Sequence, residues 1–216
     1  MRVLHPVRAQ EALLDAGTLV RPDGAVETWQ VHRLPADRTA VRVEADGPAL
    51  WHLVLDPDGR PERLQARLRD DGRTFEATLT FFEDEVIIWR RGAGPATESI
   101  ALPSGTRLLW PPLAGRERCL AGLVGETVGE TVGVTVGEPG ETAAGDGAAA
   151  RMFLLVRRGP PAGGGLSAHL AKLTVHPTPD GLTLTSPGLT DMALTLDADG
   201  RLAGWSEGGP ATVRRP

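Results

Sequence analysis

The chain has 216 residues, with 28 acidic against 23 basic side chains, a formal charge of −5, 27 glycines, 18 prolines and one cysteine. A net-negative chain without a concentrated basic run excludes a general nucleic-acid binder, and a single cysteine excludes an internal disulfide or a Cys/His zinc framework. At this length a domain buries roughly 70% of its unfolded surface, so it folds without a disulfide or metal staple, and neither a metal nor a cofactor is expected.

The residues 1–216 are expected to form one domain, interrupted at 125–150 by a low-complexity insertion rich in Gly, Glu, Thr, Val and Ala. No apolar run approaches the roughly 20 residues that a membrane span needs. His5, Pro6, Arg8, Gln10 and Glu11 break up any secretory core at the N-terminus, which points to a cytoplasmic chain.

Taken from the N-terminus, "VRAQEALLDAG" (Val7–Gly17) predicts a short helix with Gly17 as its stop. Asp-Gly turns then punctuate the chain, in "RPDG" (Arg21–Gly24), "EADG" (Glu44–Gly47), "DPDG" (Asp56–Gly59) and "RDDG" (Arg69–Gly72). Glycine accepts the positive φ of a tight turn, and aspartate hydrogen-bonds the backbone that follows it. Asp56 to Gly59 also resembles the opening of a calcium loop. It lacks the third acidic position and the distal glutamate, so it is a turn.

Between the turns apolar residues alternate. Trp51, Leu53 and Leu55 share a face. Leu64, Ala66 and Leu68 oppose Arg63, Gln65, Arg67 and Arg69, and Phe75, Ala77, Leu79 and Phe81 oppose Thr74, Glu76, Thr78 and Thr80. Ile100 and Leu102 continue the pattern. This is an antiparallel meander with one apolar and one wet face. On the wet face Arg67 or Arg69 is expected to pair across strands with Glu76. His32 and His52 fall on strands with one strand between them. "FEDE" (Phe82–Glu85) reads as a solvated hairpin tip.

"PPLAGRERCLAGLVG" (Pro111–Gly125) predicts a second short helix, weakened by Gly115 and Gly122. "GETVGETVGVTVGEPGET" (Gly125–Thr142) follows. It carries no lysine for a phosphate loop, and its glutamates are too spread out for calcium, so it is expected to be a spacer. A second strand group comes after it, in "MFLLVRR" (Met152–Arg158), "LAKLTVH" (Leu170–His176), "LTLTS" (Leu182–Ser186), "MALTLD" (Met192–Asp197) and "RLAGW" (Arg201–Trp205), with the last two flanking a "DADG" hairpin turn.

The fold expected is therefore all-β and mainly antiparallel, with one or two short helices. Too little helix is present to cover a long one-sided sheet, so the sheet curls as a half-barrel or two sheets stack as a sandwich.

The run "WHLVLDPDGRPERLQARLRDDGRTFEATLTFFEDEVIIWRRG", then "ESIALPSGTRLL", resembles in its strand rhythm the middle of uncharacterised bacterial proteins built on one strongly curved antiparallel sheet. Those resemble in outline the periplasmic lipoprotein carriers. The resemblance spans Trp51 to Leu109 and implies a sheet wrapped around a greasy cavity. It carries over no functional residue.

On function, the residues favour a non-enzymatic binding module for an apolar or lipid-like ligand, with Trp51, Trp89, Trp110 and Phe81 as its lining. The alternatives are a hydrolase or isomerase using Glu83, Asp84, His52 or Cys119, and an interaction domain presenting a sheet edge. No "GxSxG" elbow and no nucleophile–base pair is visible, and no histidine spacing suits a metal. The sequence leaves the oligomeric state open.

Overall fold

The computed structural model describes residues 10–46, 49–70, 72–91, 97–120, 148–157, 166–178, 181–185, 191–197, 201–207 and 210–215. Apart from helical residues 116–120 and a 3-10 turn at Pro35–Asp37, its regular elements are strands. The first eight are β1 (Ala12–Val20), β2 (Val26–Arg33), β3 (Thr39–Ala45), β4 (Ala49–Leu55), β5 (Pro61–Asp70), β6 (Arg73–Phe81), β7 (Glu85–Arg91) and β8 (Thr97–Ala101). They are followed by β9 (Arg107–Leu109), β10 (Ala148–Arg157), β11 (Leu166–Thr178), β12 (Gly181–Thr185), β13 (Met192–Leu196), β14 (Leu202–Glu207) and β15 (Pro210–Arg214).

All fifteen belong to one sheet, ordered β8-β7-β6-β5-β4-β3-β2-β1-β15-β14-β13-β12-β11-β10-β9. Two meanders therefore run outward from a shared centre. The seam between them is the antiparallel pair β1–β15, with Thr18 opposite Arg214, Leu19 opposite Val213 and Val20 opposite Thr212. Among the described strands only β9 against β10 is parallel. The sheet ends at β8 and β9, and no strand pairing among the described residues closes one onto the other.

The sheet is nonetheless strongly bent. Phe81 on β6 and Phe153 on β10 stand third and fourteenth in the strand order, yet their rings meet edge-on at 5.9 Å. With strands about 4.8 Å apart, a flat sheet would separate them by roughly 50 Å. One curled sheet, not a sandwich, is the architecture. Its inner face is the alternating apolar set expected from the sequence: Trp51, Leu53, Leu55, Leu64, Ala66, Leu68, Phe75, Ala77 and Leu79 are all buried in one core with Leu173, Leu184, Leu194 and Trp205 from the other meander.

Turn chemistry ends the strands as the Asp-Gly pairs predict. The Arg60 N–H donates to Asp56 Oδ1 at 2.8 Å and that of Arg201 to Asp197 Oδ1 at 2.9 Å, so each aspartate accepts from the backbone four residues on. Across the wet face Arg67 pairs with Glu76 at 2.7 Å. His32 on β2 and His52 on β4 flank β3.

Both expected helices need correction. Ala12–Val20 is a strand, and Gly17 is no helix stop: it lies opposite Trp29, where a Cβ would overlap the indole ring. Pairing with β2 on one side and β15 on the other overrides the local helix preference of Ala, Leu and Glu. In the second segment the helix begins at 116 rather than 111, within residues 116–120, and the remainder of that expectation lies outside the described residues. So does the whole repeat, Gly125–Thr142.

Candidate functional site

The chain itself occupies part of the interior of the curled sheet. After β9 the segment through residue 120 runs inside it, with Trp110, Leu113, Ala114, Cys119 and Leu120 all at most 3% exposed. A buried irregular backbone must find partners for its polar groups. Here Glu27 supplies them from β2: its Oε2 accepts the N–H of Leu113 at 2.8 Å and of Ala114 at 2.9 Å, while Arg21 Nη1 donates to Oε1 at 3.3 Å.

Arg116 satisfies the acceptors of the same segment. Its Nε donates to the carbonyls of Trp110 at 2.9 Å and Pro112 at 3.0 Å, and its Nη2 to that of Pro111 at 3.2 Å. The guanidinium also lies 4.7 Å over the Trp205 ring, a cation–π contact with the second meander. Gly115 allows the close approach, since a Cβ there would press on Val41 and the φ of +84° disfavours any other residue.

Burial dominates the electrostatics of this segment. Glu27 is pushed above the ordinary carboxylate range by desolvation, opposed by the two N–H groups and by Arg21 and Arg116. Glu117 is raised to about 7, again chiefly by burial, and Asp15 adds to the rise while Arg118 opposes it. Glu117 Oε2 and Trp110 Nε1 are buried without a hydrogen-bond partner. The Cys119 thiol is pushed far up by burial and the nearby Glu117, so it stays protonated.

Among the described residues, one open space lies at an end of the sheet. A cleft of about 730 Å³ is bounded by the β4–β5 turn, the β6–β7 tip and the loop 102–106 that joins the two sheet ends. Phe81, Leu108 and Phe153 form its floor, and Phe82, 52% exposed, stands at its lip. Asp56, Arg60, Glu62, Glu83 and Arg107 supply charge around it.

The sequence-predicted lining residues divide between three places. Trp51 and Trp110 pack on each other at 6.3 Å and 75°, so each fills the space the other would have opened. Phe81 lines the cleft. Trp89 points away from the core, 43% exposed on the outer face. The four candidate catalytic groups do not meet. His52 is on the outer face, Glu83 and Asp84 are exposed at the β6–β7 tip, and Cys119 is buried inside.

Sequence reasoning missed Glu27, Arg116, Glu117 and Phe153. Glu27 did carry a signal: it is in phase with Trp29 and Val31, a charge on the apolar side of a strand. Arg116 and Glu117 sit in "GRERC", which has no periodicity to separate buried from solvated charge. Comparison with protein-family models, with curated proteins and with solved structures finds no match to the chain.

Proposed function

We propose that the protein is a non-enzymatic binding module for an amphiphilic, lipid-like ligand, held in the cleft between the two ends of the curled sheet. The observation that carries this is the cleft itself: an apolar floor of Phe81, Leu108 and Phe153 under a charged rim, with Phe82 exposed at the lip. Its volume of about 730 Å³ falls within the range of about 300–1,000 Å³ usual for small-ligand sites. A hydrocarbon chain gains about 0.8 kcal/mol for each methylene it buries, while a polar head remains with the rim charges. Trp51 and Trp110 pack on each other, which favours the mouth over the space between them.

A dansyl-labelled fatty acid tests it. Wild-type protein should bind the probe saturably while its near-UV dichroism shows fixed packing, which separates a formed cleft from a loosened core. Phe82→Ser should weaken binding by about tenfold, or ~1.4 kcal/mol. It should leave the melting temperature nearly unchanged, because the side chain is mostly exposed. Absence of uptake by native protein, or equal uptake by the Phe82 variant, rejects this function.

A further inference from the structure

The face of the sheet turned away from the core carries a second, separate feature. Arg42, His52, Gln65, Thr78 and Trp89 stand opposite one another on the five consecutive strands β3 to β7. Strands lie about 4.8 Å apart, so this row sets a guanidinium, an imidazole, an amide, a hydroxyl and an indole at regular spacing, with the guanidinium buried beneath Glu11 and the indole exposed. With Leu50, Arg67 and Glu76 from the adjoining row, they line a depression of about 380 Å³. Trp89 is 43% exposed there, whereas Trp29, Trp51, Trp110 and Trp205 are each at most 4% exposed. Four tryptophans build the core and one is offered to solvent beside this depression.

Charge decides what fits. Arg42 is gripped by Glu11 through two bonds of 3.1 and 3.0 Å, and Arg67 by Glu76 at 2.8 and 2.7 Å. Arg42 is closed off by the Glu11 carboxylate, and an anion at the exposed Arg67 would lie against the Glu76 carboxylate. A hydrocarbon would bury the polar row without matching it. A neutral ring with hydroxyls at its edge and C–H bonds on its face matches both parts. The C–H face lies against the negative π-face of Trp89. The hydroxyls exchange donors and acceptors with the Gln65 amide and the Thr78 hydroxyl, and the exposed Arg67–Glu76 pair adds a planar donor and an acceptor.

We infer that this outer-face depression is a carbohydrate site, taking a pyranose unit of a neutral oligosaccharide. It lies on the opposite face of the sheet from the floor of the Phe81 cleft and is independent of it.

The test uses the full chain and a panel of maltoheptaose, cellohexaose, chitohexaose, mannohexaose and galactohexaose, with inorganic phosphate as the anionic comparison. Acrylamide quenching reads the exposed tryptophan, so a bound sugar should shield it. At least one oligosaccharide should bind saturably and reduce quenching, and phosphate should do neither. Trp89→Ala and Gln65→Ala should each weaken that sugar by about tenfold or more, as truncating a central anchor does, with the melting temperature and uptake of the dansyl fatty acid unchanged. No shielding by any sugar in the panel, shielding by phosphate instead, or undiminished sugar binding by Trp89→Ala would each overturn it.

Discussion

Glu117 is the residue at which burial and ionisation conflict most directly. Its carboxyl is inside the sheet, Oε2 has no partner, and Arg118 Nε stands 3.7 Å from Oε1. Its pKa is raised from 4.5 to about 7 on folding. Between those values the folded state holds a proton that the unfolded chain has released, so stability falls as pH rises. The full contribution is present below about pH 4.5, and its loss is complete once the pH has passed through about 7. A shift of this size corresponds to about 3 kcal/mol. Glu117→Gln removes the titration but keeps the shape. Urea midpoints measured from pH 4.5 to 8 should fall with pH in the wild type and fall much less in the variant. Parallel curves would mean that Glu117 is solvated in the folded protein. Cys119, two residues on, is shifted in the same direction by burial, but even an unperturbed thiol titrates above about pH 8, so it adds little to this profile.

The elements divide into those whose neighbours are close in sequence and those whose neighbours are not. β5 and β6 were legible because their partners follow within a hairpin and one face is wet, so the period of two is undiluted. β1 was not legible, because its residues favour helix locally and its strand character comes from β2 and from β15 at the far end of the chain. The short strands β9 and β15 offer too few residues to show a period. The interior segment offers none, and for the same reason the cleft was only partly foreseen. Phe81 was named from its strand phase, while Phe153 reaches it only through the curl of the whole sheet. The docking of that segment has one anchor that can be tested. Glu27→Ala strips the acceptor from the Leu113 and Ala114 N–H groups, each of which then costs about 1–3 kcal/mol if left dry. Relief of the buried carboxylate offsets part of this, so a net loss of about 2 kcal/mol is expected. Glu76→Ala breaks only the surface pair with Arg67, which is 63% exposed, and should stay within about 0.5 kcal/mol. Denaturant midpoints separate the two, and equal shifts would show that Glu27 does not hold the segment in place.

At the scale of the whole molecule, the two meanders are distinct in sequence but not in structure. They share the β1–β15 seam, the Phe81–Phe153 contact at the mouth and the Arg116–Trp205 contact inside, and one core draws on both. The interior segment belongs to the first meander in sequence, yet it is clasped by both. If these contacts hold the meanders together, the covalent link between Leu120 and Ala148 should matter little. As a tether it would raise the local concentration of one half around the other to about millimolar, an effect that varies slowly with length. Residues 1–124 and 143–216 expressed together as separate chains should therefore assemble and co-elute as a one-to-one complex at micromolar concentration. Their near-UV spectrum should match that of the intact protein, since Trp110 and Trp205 would be fixed in the same interior. Each half alone leaves the β1 or β15 edge and a greasy inner face uncovered, and should aggregate or remain unfolded. Two halves that elute separately, each with a cooperative melt of its own, would mean that the seam and the shared core contribute little and that the sheet is two units side by side.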